Sequence, residues 1–212
     1  APSRGLGDVY KRQIQYYISV DFAAMTKAID LLGGIDIDVD DAEIEHLNNY
    51  IVETSEVTGV KTTPLTKTGL QTLDGVQATS YCRIRYTAGD DFKRTERQRE
   101  VIMQIVSKAK TMDISQVNDI IDAVFPLAAT NYTNDELLAM APQLLTYDIV
   151  DTTGFPFDKA AATVKGKGSC VIPVNLEENV KQLHEYLFGT TDYQPSDEVK
   201  AISSQITTET GY

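Results

Sequence analysis

The stretch Ile14–Asp40, IQYYISVDFAAMTKAIDLLGGIDIDVD, indicates the fold class of this 212-residue chain. Its first seven residues mix Tyr and Ile with polar residues in the alternation that predicts a strand. Asp21 can then cap a helix that ends at the pair Gly33-Gly34. Apolar residues recur within that helix at helical spacing, at Phe22, Met25, Ile29 and Leu32. The final IDIDVD alternates buried-type and acidic residues, which predicts a second strand with one buried face. A strand–helix–strand unit is typical of a layered α/β domain.

The rest of the chain is predicted to be mainly helical, and together with the first unit it favours a layered α-β-α sandwich with a central mixed sheet. The predicted helices are Asp41–Thr54, Asp74–Tyr81, Phe92–Met112, Ile114–Leu127, one that starts at a Thr133/Glu136 capping box, and one from Asn175 to Gly189. A strand is predicted over Ser169–Val174, and the segment before it, Ala160–Gly168, is predicted to be a loop or hairpin.

Both ends of the chain are expected to lie outside this domain. Residues 1–13, APSRGLGDVYKRQ, show neither helical nor strand periodicity and are expected to be disordered or foreign to the fold. Residues 190–212 form a polar tail that we expect to pack lightly, with a short helix near residues 197–206. The domain is therefore predicted to span residues 14–189. The alternating pattern of the first strand is already clear at Ile14, where the domain begins. We therefore expect a natural N-terminal part to precede it.

The overall charge excludes some classes of partner. With 19 basic and 31 acidic residues the chain carries a net charge of −12, and a surface this acidic repels a long polyanion such as a nucleic acid. No helix-turn-helix pattern is present either. No window reaches the roughly 18 apolar residues that a membrane span needs, and no signal-peptide pattern begins the sequence.

The arginines are segregated from the other cations. Of the seven, two lie in the leader and five lie within seventeen residues, at Arg83, Arg85, Arg94, Arg97 and Arg99. The stretch Arg83–Arg99 carries a charge of +3, whereas the rest of the chain is strongly acidic. Segregation by type is informative because the guanidinium fork binds phosphate oxygens in pairs, which a lysine cannot do.

Helical phase suggests how these arginines converge. Stepping back from Ile105 and Val101 along the long helix leads to Gln98 and Arg94, which predicts that both face the interior near the helix N-terminus. Arg83 and Arg85 are alternate residues and point to the same side if that segment is extended. The residue types alone are equally consistent with an anion-binding site and with a solvated basic surface. Asp91 is open to two roles as well, the helix N-cap or a base or metal neighbour.

The arginine-rich segment resembles the LytR–CpsA–Psr (LCP) family of bacterial cell-envelope proteins. Leu73–Arg99, LDGVQATSYCRIRYTAGDDFKRTERQR, is similar to that family's R-x-R, short loop and D-F-x-R-x-x-R-Q. Tyr16–Val39 resembles the family's strand–helix–Gly-Gly–strand passage, and Val171–Gly189 resembles the closing helix of its clostridial members. The resemblance covers about Ile14–Gly189.

The resemblance implies a membrane-anchored phosphotransferase on the outer face of the cytoplasmic membrane, in a Gram-positive, clostridial-like bacterium. Such an enzyme moves a glycopolymer phosphate, of the teichoic acid or capsular type, from a polyprenyl-pyrophosphate carrier to peptidoglycan. The resemblance also implies that the pyrophosphate is bound by Arg83, Arg85, Arg94, Arg97 and Gln98, and that Asp91 and Arg94 are catalytic. A non-catalytic envelope domain that binds lipid pyrophosphate or anionic polymer is the alternative.

In that family the N-terminal part supplies the membrane anchor, the aspartates tied to Mg²⁺, and a further arginine and lysine. Nothing before Tyr16 matches them, so we expect this fragment to hold half of the phosphate site and no metal ligands. The Mg²⁺ cofactor is therefore expected to be bound by the missing part, and the activity of the fragment alone stays open. The extracytoplasmic location that the resemblance implies leaves free thiols and a Cys82–Cys170 disulfide as equal alternatives.

Two other groups of polar residues are assigned ordinary roles. The alternating Asp36, Asp38 and Asp40 are expected to be a solvated strand face rather than a metal site. His46 and His184 are far apart in sequence and are expected to pack within helices rather than to act in catalysis.

Overall fold

The computed structural model describes residues 16–85, 90–144 and 146–212, and of residues 90, 91 and 144 it describes the backbone alone. These residues fall into two units, 16–150 and 151–212. In the first unit the strands are β1 (Ile18–Val20), β2 (Ile35–Val39), β3 (Gly69–Leu73) and β4 (Ala128–Thr130). Its helices are α1 (Phe22–Leu31), α2 (Ile44–Thr58), α3 (Gly75–Tyr81), α4 (Asp90–Ala109), α5 (Ile114–Val124) and α6 (Asn134–Leu144).

The predicted α/β class is confirmed, and the strands pair antiparallel and two by two in the described part of the chain. Strand β1 pairs with β4, and β2 pairs with β3, with Ile35 opposite Leu73. The two strands that flank α1 therefore belong to different sheets, where a single mixed sheet was expected. The local pattern around α1 fixes which face of each strand is buried, but it carries no information about the partner, which for β1 lies more than 100 residues along the chain.

The core of the first unit is built on the buried face of β2. Ile35, Ile37 and Val39 are fully buried, as the alternation predicted, while the intervening aspartates are exposed. Helices α1 to α4 cover this face with further fully buried side chains, among them Ile29, Leu47, Val76 and Val101. The predicted solvated row of aspartates is therefore confirmed.

Helix α3 lies close against α1 because its first residue is glycine. A Cβ atom on Gly75 would come within 2.1 Å of the carbonyl oxygen of Thr26. The Gly75 N–H also donates to Asp30 Oδ1 at 2.7 Å. Asp74 and Gln77 cap the helix reciprocally, which satisfies its first N–H groups. All seven residues of α3 are buried, so the segment that follows it, with Arg83 and Arg85, starts from a rigid support.

Helix boundaries differ from prediction where local capping decides them. Helix α2 begins at Ile44 rather than Asp41, because Asp40 and Glu43 exchange backbone-to-carboxylate hydrogen bonds just before it. It runs on to Thr58 and ends at Gly59, whose φ of 72° is in the left-handed region. Helix α5 ends at Val124, two residues before Pro126, and a 3₁₀ turn follows over Phe125–Leu127. The Thr133/Glu136 capping box is present as predicted.

Residues 151–212 form a β-hairpin and two helices. Strands β5 (Lys159–Val164) and β6 (Gly168–Pro173) pair antiparallel, and α7 (Leu176–Phe188) and α8 (Asp197–Thr210) follow. The expectation of a lightly packed tail is wrong, because Val199 of α8 is fully buried in a cluster with Leu176 and Val180 of α7. No helix in the described residues is long and apolar enough to cross a membrane.

Candidate functional site

A cavity of about 690 Å³ opens in the unit formed by residues 16–150. Most of its wall is apolar and comes from β1, α1, α4 and the end of α5, with Val20, Phe22, Ala24, Met25, Ala28, Ile102, Ile105 and Val124. Six side chains that can form hydrogen bonds through nitrogen or oxygen line it as well: Tyr50, Thr79, Arg83, Arg85, Arg94 and Gln98. The four side chains that were expected to converge therefore line one cavity that has a largely apolar wall.

Helix α4 supplies part of this lining from one continuous stripe. Arg94, Gln98, Ile102 and Ile105 follow one another at intervals of four, four and three residues, so they share a face of the helix. The stripe is polar in the first turns of α4 and apolar further along. Ile102 is 54% exposed and lines the cavity. The helix thus presents charge and hydrocarbon to the same space.

The prediction of which residues of α4 face the interior was wrong by one sequence position. Val101 is fully buried, and one turn back from it the buried residue is Arg97, not Gln98 or Arg94. Arg94 is half-buried and Gln98 is exposed, both on the neighbouring face that lines the cavity. Gln98 Nε2 lies 3.4 Å from the carbonyl oxygen of Cys82, which ties α4 to the segment that carries Arg83.

Arg83 is held by four neighbouring side chains. Its Nη1 donates to Thr54 Oγ1 at 3.1 Å, and its Nη2 donates to Glu53 Oε2 at 2.7 Å. The guanidinium carbon lies 4.9 Å from the ring centroids of both Phe22 and Tyr50. Only 17% of the side chain is exposed. Arg85, by contrast, is an exposed residue, and the fully buried Ile84 separates the two.

Arg97, expected to contact pyrophosphate, is not among the residues that line the cavity. It is 4% exposed, its Nε donates to Glu43 Oε1 at 2.7 Å, and its Nη1 donates to the carbonyl oxygen of Ile84 at 3.2 Å. Its guanidinium carbon also lies 5.9 Å from the ring centroid of Tyr81. The structure therefore places Arg97 behind the site, where it holds the backbone between Arg83 and Arg85.

Glu43 was not singled out from the sequence. It lies in an ordinary acidic run before α2, and no spacing rule connects it with a residue 54 positions away. The sequence feature that could have indicated Glu43 is the position of Arg97 on the buried face of its helix. A buried arginine requires a buried carboxylate partner. Glu53, Thr54 and Tyr50 were missed in the same way.

Two groups near the arginines, the Cys82 thiol and the Tyr81 hydroxyl, have pKa values raised above their ordinary values. Burial, and to a smaller extent Glu100, raises the pKa of the Cys82 thiol to about 12. Burial, with Glu43 and Glu100, raises the pKa of the Tyr81 hydroxyl, which donates to Glu100 Oε2 at 2.9 Å. Cys82 is therefore a neutral part of the wall rather than a thiolate nucleophile. Cys82 is a buried free thiol, and Cys170 is a partly exposed free thiol.

The described residues offer no metal centre. Among them, no group of three or more His, Cys, Asp and Glu side chains could hold an ion. The side chain of Asp91, predicted to be catalytic, lies outside the described residues. His184 stacks on Tyr193 with ring centroids 3.4 Å apart, which confirms its packing role, and His46 is half-buried in α2.

The sequence matches one protein-family model and several curated proteins. The model of the LytR_cpsA_psr family matches residues 6–185. The polyisoprenyl-teichoic acid–peptidoglycan teichoic acid transferase TagU of Enterococcus faecalis is 31% identical over 130 residues, which are 60% of this chain and 38% of TagU. The chain spans about a third of the length of the curated relatives it matches.

Two crystal structures share the fold. An Enterococcus faecalis protein described as a transcriptional regulator has a TM-score of 0.68 at 21% identity, covering 98% of this chain and 70% of that one. TagV of Bacillus subtilis has a TM-score of 0.60 at 20% identity, covering 90% and 69% respectively. Since the family model matches most of the sequence, the chain belongs to the LytR_cpsA_psr family.

Proposed function

We propose that the parent protein transfers a glycopolymer phosphate, of the teichoic acid or capsular type, from a polyprenyl-pyrophosphate carrier to peptidoglycan. In this proposal Arg83, Arg85, Arg94 and Gln98 bind the pyrophosphate. The observation that carries it is the cavity itself, which joins three arginines to an apolar wall. The name of TagU as a teichoic acid transferase supports the substrate class.

The chemistry of the cavity suits an amphipathic phosphate ester. Guanidinium groups bind phosphate oxygens through paired, charge-assisted hydrogen bonds. The apolar wall offers a prenyl chain a surface that removes it from water. A volume of about 690 Å³ falls in the ordinary range for pockets that enclose a small ligand, so the cavity can take the headgroup and the first isoprene units.

The reaction breaks the bond between the bridging oxygen and the phosphorus that carries the glycan. An acceptor hydroxyl on peptidoglycan forms the new P–O bond and loses its proton, and polyprenyl phosphate leaves with the bridging oxygen. Negative charge grows on that leaving phosphate, where Arg94 and Arg83 stabilise it. Asp91 is the residue we propose to receive the hydroxyl proton. Mg²⁺, which the family resemblance implies, would neutralise further phosphate charge when bound.

The surroundings of the reaction are part of the proposal. A lipid-linked donor requires a membrane, so we propose that the parent protein is anchored there and acts on the outer face, with peptidoglycan as the acceptor. The name of TagU, which gives a polyisoprenyl donor and a peptidoglycan acceptor, supports this arrangement.

Turnover by the full-length parent protein tests the proposal. The assay uses a radiolabelled prenyl-pyrophosphate-linked glycan with peptidoglycan, with and without Mg²⁺. Arg94→Ala is expected to lower kcat/KM by about 10²-fold or more, as for loss of a charge-stabilising donor. Lys93→Ala is the control, because it removes the same charge from an exposed position one residue away. Equal activity of the two variants would refute the proposed role of Arg94.

The same assay separates an enzyme from a binding module. Binding of the prenyl pyrophosphate, lost in Arg94→Ala, without any transfer would favour the non-catalytic envelope domain. Transfer of label to peptidoglycan that depends on Arg94 would favour the transferase.

A further inference from the structure

Three residues in one turn of α2 hold the guanidinium of Arg83. Tyr50, Glu53 and Thr54 are spaced i, i+3 and i+4, so their side chains leave the helix on one face. They supply an aromatic ring, a carboxylate and a hydroxyl to the same group. We call Tyr50, Glu53 and Thr54 the Arg83 holder.

The members of the holder differ in burial. Thr54 is fully buried, and its hydroxyl also lies 3.0 Å from the hydroxyl of Ser80 in α3, so its position is fixed by two helices. Tyr50 is half-buried and lines the cavity. Glu53 is 60% exposed, so water can replace its carboxylate at little cost. The holder therefore has two fixed contacts and one exchangeable contact.

The exchangeable contact occupies the atom that a phosphate needs. A guanidinium can bind an oxyanion side-on through Nε and Nη2, or end-on through Nη1 and Nη2. Nη2 belongs to both arrangements, and in this structure it donates to Glu53 Oε2 at 2.7 Å. Because Nη2 carries two N–H groups, a phosphate that approaches Arg83 from the side of Glu53 competes with its carboxylate for one of them.

We propose that Tyr50 and Thr54 are positioning residues for Arg83, and that Glu53 is an internal anion which the phosphate of the ligand displaces from Nη2. This inference rests on the proposed function, because it assumes that Arg83 binds phosphate. It adds that the affinity of the site is set partly by a carboxylate outside the cavity lining. The ligand exchanges one anion for another on a guanidinium that stays in place.

The two kinds of residue make opposite predictions. Glu53→Gln removes the competing charge, so the affinity for a phosphate ligand should rise about two- to fivefold, the range expected for loss of an exposed ion pair. Tyr50→Leu removes the aromatic face, so the affinity should fall about two- to fivefold, and Tyr50→Phe should restore it. If Tyr50 and Glu53 only supported the fold, every variant that destabilises the protein would bind the ligand more weakly, and none would bind it more tightly.

Calorimetric titration of the 212-residue chain with geranyl pyrophosphate tests the inference. Glu56→Gln is the matched control, since Glu56 is an exposed residue on the same helix and the charge change is the same. Tighter binding by Glu53→Gln than by Glu56→Gln supports the proposal, including the case in which Glu53→Gln alone binds the probe. Equal affinities of these two variants, with binding abolished by Arg94→Ala, overturn the inference and leave the proposed function standing. Binding by none of the proteins, Glu53→Gln included, overturns both.

Discussion

Arg97 in α4 and Glu43 just before α2 form a buried ion pair, with Nε 2.7 Å from Oε1 and both side chains less than a tenth exposed. A second N–H of Arg97 binds the carbonyl oxygen of Ile84, and the other carboxylate oxygen of Glu43 accepts the N–H of Asp40. The pair therefore joins three segments at a point directly behind the cavity arginines.

Removing one charge of this pair should strongly destabilise the protein. Glu43→Gln leaves the buried guanidinium of Arg97 without a counter-charge, and breaking a buried pair costs about 3–5 kcal/mol of unfolding free energy. Urea denaturation of the 212-residue chain measures the change. Glu96→Gln is the control, because the Glu96–Lys93 pair lies at the surface and its loss should shift the transition little. Similar urea midpoints for the two variants would contradict the structural role given to Arg97.

The sequence could predict which residues converge but not what each one does. Helical spacing places Arg94 and Gln98 on one face of α4, and alternate spacing places Arg83 and Arg85 on one side, so a shared site follows from local geometry. The division between Arg94 at the cavity and Arg97 in the core depends on Glu43, whose partner is 54 residues distant. Local periodicity fixes the phase of a helix only to within about one position, and one position here exchanges a ligand-binding side chain for a structural one.

Cys82 should resist alkylation in the native protein. The thiolate is the reactive form, and because burial raises the pKa of Cys82 to about 12, almost none is present near neutral pH. Iodoacetamide at pH 8 should therefore label Cys170 and leave Cys82 unmodified until urea unfolds the chain. Peptide mass spectrometry distinguishes the two sites. Early labelling of Cys82, or a disulfide-linked peptide in the non-reduced digest, would count against the buried neutral thiol.

The same thiol predicts a loss of stability at alkaline pH. The unfolded thiol titrates at about pH 8.5, and the folded one at about 12. Between these values the folded protein binds more protons than the unfolded chain, so the unfolding free energy falls as pH rises. The expected slope from one such group is about 1.4 kcal/mol per pH unit. Below the unfolded pKa the contribution is fully present.

Urea unfolding at pH 8 and pH 10 checks this dependence. Cys82→Ser removes the titrating group, so its unfolding free energy should drop less between the two pH values than that of the unmodified chain. Burial also raises the pKa of Tyr81. Because Tyr81 is present in both proteins, its contribution to the pH dependence cancels when the two are compared. Parallel pH profiles for the two proteins would show that the thiol does not contribute.

The fold was predictable where a segment carries its own pattern. The alternation in β2, the Thr133/Glu136 capping box and the start of α7 after Asn175 are local, and each is present. Strand pairing and the packing of the last helix are not local. Val199, Ile202 and Ile206 of α8 follow helical spacing, yet an otherwise polar tail shows too little hydrocarbon to reveal that α7 offers a partner surface. Burial of that stripe depends on residues of α7 that lie elsewhere in the sequence.

The apolar wall of the cavity should contribute to binding a prenyl chain rather than to stability. Ile102 is 54% exposed and lines the cavity, so Ile102→Ala removes hydrocarbon that the folded protein does not bury by itself. Its affinity for geranyl pyrophosphate should fall about fivefold or more, the effect of roughly 1 kcal/mol of lost apolar contact, whereas its affinity for inorganic pyrophosphate should not change. Ile114→Ala is the control, since Ile114 is 40% exposed on α5 and is not among the lining residues. A parallel loss of affinity for both probes would place Ile102 in the support of the arginines and not in a groove for the lipid.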